Sequence, residues 1–153
     1  MVKKDKNNLK ISVVLSFLNE ENTLLELITR LRAVFKHLIN KKEIGSYELV
    51  FINDNSVDNS ETIIESQMIK KDIVLINMSR NFGVSECVLA GFTHSKGDLI
   101  IYMDTDLQDP PELIPELIQT WLIDPDTEVV YTTRNRRHGE NWLKLLVTKL
   151  GYR

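Results

Sequence analysis

The sequence predicts an α/β fold, a mostly parallel sheet with helices on both faces. Three observations predict it. Short β-branched apolar runs of strand length recur along the chain, and between them lie longer segments with leucines and isoleucines at helical spacing. Strands that alternate with helices in this way pair in parallel and are covered on both sides. The length of 153 residues, with 42% hydrophobic and 27% charged content, suits one globular domain with a sizeable core.

The first strand is "KISVVLSF" at 10–17, and "NEENTLLELITRLRAVFKHLI" turns from it into a helix. "YELVFIN" at 47–53 is a second strand, followed by a helix over about 60–70. "IVLINM" at 73–78 is a third, followed by a helix over about 84–94 that Gly97 is expected to stop. "DLIIYM" at 98–103 is a fourth, and prolines open the helix that runs from it to about Leu122. Pro115 would clash inside a regular helix, so the regular part is expected to begin near it. "EVVYTT" at 128–133 is the expected fifth strand. No repeat, low-complexity tract or linker suggests a further boundary.

The net charge of −3 and the pI near 5.6 give no broad cationic field, which argues against nucleic acid as a partner. Cys87 is the single cysteine, so no internal disulfide is expected, and the scattered His37, His94 and His138 have no zinc-like spacing. A cytoplasmic location fits this best. No apolar run suggests a signal peptide or a spanning helix.

In open parallel sheets ligands bind beyond the carboxyl ends of the strands. Those ends read "LNEEN", "NDNSVDNS", "SRNFG", "DTDLQD" and "RNRRHGE", so acids, amides and arginines converge there. Neither a dinucleotide fingerprint nor a P-loop is present to hold phosphates by backbone amides. Asp104 and Asp106 are two apart after a buried strand, so in extended chain their carboxylates share a face while Thr105 turns away. Paired carboxylates suit Mg²⁺ or Mn²⁺, and Gln108 adds a neutral carbonyl oxygen, leaving positions for water and a ligand's phosphates. The bland reading of such a pair is a solvated acidic loop. Asp109, with Glu112 three residues on, reads instead as a helix cap before the prolines. Asp54 and Asp58 lie in a turn-rich stretch where two readings stand side by side, a loop held by Asx turns and a ligand contact. Arg134, Arg136 and Arg137 read as a solvated cluster or, at a strand end, as a phosphate clamp.

Together these residues resemble the family 2 glycosyltransferases of GT-A fold, a Rossmann-like arrangement, and within them the dolichol-phosphate mannosyltransferase and bacterial polyprenyl-phosphate glycosyltransferase branch. The likeness runs from about Ile11 to the end and is most specific in "RNFGVSECVLAGFTHSKGDLIIYMDTDLQDPPELIPELIQTW". The resemblance implies that Asp104, Asp106 and Gln108 form the metal and diphosphate site. It also implies that Asn19, Glu20, Asn53, Asp54 and Arg80 serve the nucleotide, and that Arg134 and Arg137 join Asp106 in catalysis near the phosphates and acceptor. The family's usual proline and tyrosine before N-E are Ser16 and Leu18 here, the first aspartate of its D-D-x-S is Asn53, and the lysine after N-F-G is Val84.

The implied activity is metal-assisted, inverting transfer of a sugar from a UDP- or GDP-linked donor to a polyprenyl or dolichyl phosphate or a related glycan. Relatives of this branch continue into a further acidic segment and membrane helices, so the single domain at 1–153 is expected to be incomplete at its C-terminus. In "GENWLKLLVTKLGYR", Trp142, Leu143, Leu146, Val147 and Leu150 recur at helical spacing beside lysines. This 140–153 stripe suits either peripheral contact with the inner face of a membrane or packing on a domain core. Two rival readings are a nucleotide-sugar-binding chain without turnover and an aspartate-nucleophile phosphotransferase of the haloacid dehalogenase type, whose apolar strand also ends in D-x-D.

Overall fold

The computed structural model describes residues 8–124 and 126–133. Four strands form one parallel sheet: β1 (Lys10–Phe17), β2 (Ser46–Asn53), β3 (Ile73–Asn77) and β4 (Leu99–Tyr102). Its order is β3-β2-β1-β4. Four α-helices alternate with the strands: α1 (Leu24–Asn40), α2 (Ser60–Gln67), α3 (Val84–His94) and α4 (Ile114–Ile123).

The central strand β1 shows why the sheet is covered twice. Ile11, Val13, Leu15 and Phe17 point to one face and join the large core beneath α1, while Val14 points to the other and packs with Val50, Ile52 and Cys87. Helix α1 contributes Leu24, Leu27, Ile28, Leu31, Phe35 and Leu38, all buried and all on the stripe its spacing defines. Burying each such side chain contributes about 1.5–3 kcal/mol. Helix α3 covers the opposite face closely, because a Cβ on Gly91 would stand 2.4 Å from Val14 Cγ1 and 2.8 Å from Ile52 Cδ1.

The elements follow the sequence reading closely, with three corrections. Gly97 is not a left-handed helix stop: α3 closes at Ser95 in extended backbone, and Gly97 is required because a Cβ there would lie 2.5 Å from the Ser12 nitrogen. The N-cap position expected at Asp109 falls on Pro110. The 3₁₀ turn Pro111–Leu113 begins behind Pro110 without a side-chain cap, and Glu112 accepts from Arg30 Nε at 3.0 Å and Nη2 at 2.6 Å. Helix α4 then starts at Ile114, beside the proline that was expected to mark its start. The strand expected at 128–133 is not in the sheet. The segment and β4 both line a cleft of about 460 Å³, and Val129 and Tyr131 are 76% and 79% exposed. Arg134, Arg136, Arg137 and the stripe at 140–153 lie outside the described residues.

Candidate functional site

The sheet order reverses direction at β1, whose neighbours are β2 on one side and β4 on the other. Ligand crevices form at such a switch point, because the connections leave in opposite directions and part the loops. A cavity of about 410 Å³ lies there. Ser16 to Leu18 and Glu20 line it from the end of β1, Asp54 from β2, Asn81, Gly83, Val84 and Cys87 from the start of α3, and Asp104 to Asp106 from β4. A larger cleft of about 590 Å³ sits instead between the C-terminal end of α1 and α4, away from these strand ends.

The pleat of β4 continues past its last paired residue. Met103 and Thr105 are buried, Asp104 and Asp106 are exposed on one wall of the cavity, and Thr105 Oγ1 donates to the Ser16 carbonyl at 3.2 Å. The two carboxylates are thus delivered together, as the alternation requires. Tyr102, two residues earlier on the same side, donates its hydroxyl to Asp104 Oδ1 at 2.7 Å. Sequence reasoning missed Tyr102, although its spacing carried the signal. Asp106 Oδ1 accepts from the Gln108 N–H at 2.9 Å, and Gln108 itself does not line the cavity. Between them Leu107 has φ 61°, a left-handed conformation that costs a bulky residue about 1–2 kcal/mol. Packing of Leu107 against the core offsets that cost.

The loops after β1 and β2 hold each other. The Asn19 N–H donates to Ser56 Oγ, and Asn19 Oδ1 accepts from Val57 N–H at 2.9 Å. The Glu20 N–H donates to Ser60 Oγ and the Glu21 N–H to Asp58 Oδ2, while Glu21 Oε2 accepts twice from Asn59. Asp58 is therefore a loop fastener, and burial, which raises its carboxyl pKa, is outweighed by bonds from Ser60 and Glu21 that lower it. Asn53 is buried and engaged with Ser56, Asn77 and Glu61, and it does not line the cavity. Of the residues expected at the nucleotide, Glu20, Asp54 and Asp104 face the cavity; Asn19, Asn53 and Arg80 do not line it. Arg80 instead lies over the Phe82 ring, 4.2 Å from its centroid.

Asp54 is 5% exposed, and its two oxygens accept from the backbone N–H groups of Phe82 at 2.7 Å and Gly83 at 2.9 Å. Gly83 has φ 97°, which a side chain would oppose, and it is the residue from which α3 starts. Cys87 is buried one turn into α3. Burial first, and then its hydrogen bond to Asp54, pushes the thiol up to about 12. Cys87 was not legible as a site neighbour, because nothing local in the sequence distinguishes it from a core residue.

Among the described residues no group of three acidic, histidine or cysteine side chains converges to hold a metal ion. The donor set fits Mg²⁺ or Mn²⁺ in another way, since such ions take one or two carboxylates and complete their shell with water and phosphate oxygens. Asp104 and Asp106, on one wall of the cavity, would supply those carboxylates. No lysine lines the cavity among the described residues. Also among them, no helix is long and apolar enough to cross a membrane.

A family model described as "Glycosyl transferase family 2" matches residues 12–150. An uncharacterized glycosyltransferase of Synechocystis sp. is 38% identical over 146 residues, which is 95% of this chain and 44% of that protein. The uncharacterized glycosyltransferase YkcC of Bacillus subtilis is 39% identical over 147 residues, 95% of this chain and 43% of YkcC. The chain therefore spans less than half the length of these curated relatives. Among solved structures, the mannosyltransferase PcManGT from Pyrobaculum calidifontis, in complex with GDP-Man and Mn²⁺, superimposes with a TM-score of 0.62 at 16% identity, covering 77% of this chain and 33% of that one. That likeness establishes a fold shared with GT-A glycosyltransferases.

Proposed function

Since the chain belongs to glycosyl transferase family 2, we propose that its cavity binds the diphosphate of a UDP- or GDP-linked sugar and that the sugar is transferred with inversion to a polyprenyl phosphate or related glycan acceptor. The observation that carries this reading is the placement of Asp104 and Asp106 on one wall of the switch-point cavity, with Tyr102 holding Asp104 in orientation.

Asp104 and Asp106 would hold Mg²⁺ or Mn²⁺ against the donor's phosphates. When bound, the ion supplies positive charge that stabilises the departing nucleotide diphosphate. Phe17, Leu18 and Val84 give the cavity apolar walls that exclude water from the base or sugar. A phosphate-monoester acceptor, with its second pKa near 6, is largely dianionic at neutral pH and attacks without a general base. Arg134 and Arg137 are proposed to meet acceptor or donor phosphate as paired cations. The segment at 140–153 is proposed to rest on the inner surface of a membrane, where a lipid-linked acceptor would be found.

Calorimetry with UDP, GDP and their sugar derivatives, with and without Mn²⁺, tests the donor site. Metal-dependent binding to at least one is expected, lost in D104N and D106N; the absence of such binding to all of them overturns the reading. A second reading is donor binding without turnover. Sugar transfer to a polyprenyl phosphate in detergent separates the two.

A further inference from the structure

We propose that Asn53 is a positioning residue for the nucleotide wall of the cavity, acting through Asp54 and Glu20, and that Glu61 makes its amide necessary. What the wall binds rests on the function proposed above. Asn53 closes β2, is 2% exposed and does not line the cavity. Each polar atom of its side chain is nevertheless engaged. Oδ1 accepts from the Ser56 N–H at 2.8 Å, while Nδ2 donates to Asn77 Oδ1 at 3.1 Å and, more weakly, to Glu61 Oε2 at 3.4 Å. The Ser56 N–H needs an oxygen opposite it, which fixes which way the amide is turned. Asn77 Nδ2 donates in turn to Glu61 Oε1 at 2.6 Å, so one carboxylate accepts from both amides. The three side chains tie the ends of β2 and β3 to the first turn of α2.

The hub reaches the cavity by two short routes. Asp54, the next residue, lines it directly and keeps acceptor capacity for a ligand beyond the Phe82 and Gly83 N–H groups. Ser56, held by its N–H, accepts from the Asn19 N–H at 3.0 Å, and this fastens the loop that carries Glu20 to the cavity. An aspartate at 53, the residue carried there by the family this sequence resembles, would not serve. One of its oxygens would still accept from Ser56, but the other would face Asn77 Oδ1 and Glu61 Oε2, acceptors both. If the Asn77 amide turned over to donate, its oxygen would meet Glu61 Oε1 in place of the 2.6 Å bond. Either way a bond is lost, and two carboxylates stand at one hub.

Glutamine at 61 would return the missing donor, which gives the test its form. The unmodified chain, N53D, E61Q and N53D/E61Q are compared by thermal midpoint and by titration with UDP and GDP in Mn²⁺, at a temperature where each is folded. N53D is expected to melt earlier and to bind both nucleotides about 3–10-fold more weakly. E61Q should change little, and N53D/E61Q should bind within about twofold of E61Q. A lowered midpoint with unchanged affinity in folded N53D makes the hub merely structural and overturns the positioning role. An N53D chain that melts and binds like the unmodified one, or a double variant no better than N53D, overturns the pairing with Glu61. Amide hydrogen exchange of the unmodified chain should show Ser56 protected; an unprotected Ser56 overturns the hub without any variant that must fold. If neither nucleotide binds the unmodified chain, the proposed function fails, and the hub is decided by midpoint rescue and Ser56 protection.

Discussion

Tyr102, Asp104 and Asp106 lie at every second position along an extended chain, and this places a hydroxyl and two carboxylates on one surface while Met103 and Thr105 anchor the chain from behind. The Tyr102 hydroxyl donates a hydrogen bond to Asp104 Oδ1, which restricts rotation of the carboxylate. Burial first and then Asp104 raise the Tyr102 pKa, so the phenol stays a donor throughout the neutral range. Y102F removes the donor and little else. Outer partners of this kind tune a metal site without forming it, so Mn²⁺-dependent nucleotide binding in Y102F is expected to weaken roughly 3–10-fold, with the thermal midpoint nearly unchanged. Calorimetric titration beside a melting curve checks both parts. Which acids faced the cavity was legible from spacing at this scale. That Asn53, Asp58 and Asn19 are engaged with neighbouring loops was not, because bonds between segments 24 to 38 residues apart leave no local pattern.

Helix α3 is the element on which the second core depends, and its distance from the sheet is set by one residue. Gly91 brings the helix against Val14 and Ile52, where a methyl group would overlap both side chains. G91A gains about 1 kcal/mol of helix propensity, but overpacking costs about 1–3 kcal/mol and the strand backbone beneath cannot yield. A net destabilisation of about 1 kcal/mol is expected, read as an earlier midpoint in urea with an unchanged slope. A more stable variant would mean that α3 moves freely on the sheet. Elements were legible wherever they are covered on both faces: the first strand was read at 10–17 and is found at Lys10–Phe17. The reading fails at 128–133, where β-branched residues have strand composition but the segment does not join the sheet. Composition fixes what a segment can become, and only pairing makes it a strand.

Across the whole molecule, ionisable groups in the fold set opposite limits in acid and in alkali. Asp72 accepts from Arg32 and from Tyr47, and Glu48 accepts from Lys10, Ser12 and the Lys96 N–H. Burial alone would raise both carboxyls, but these bonds outweigh it and both are lowered. A group lowered in the folded state stabilises above its unfolded value and loses that contribution as pH falls through the folded one, so stability should decline below about pH 4. The alkaline limit has the reverse sign. Tyr47 is raised from 10.0 to about 12, chiefly by burial and then by Asp72, and Cys87 from 9.0 to about 12. Each favours the folded state below its unfolded value and loses that advantage as pH climbs toward 12. Cys87 begins to titrate first, because an unfolded thiol ionises near pH 9 while the buried one does not, which costs up to about 1.4 kcal/mol per pH unit above that point. Thermal midpoints measured from pH 3 to 11 should therefore form a plateau that breaks near pH 9, and in C87A the break should move toward pH 10, where Tyr47 takes over. If C87A keeps the break near pH 9, Cys87 is not buried beside Asp54 in solution, and the packing of α3 on the sheet would have to be reconsidered with it.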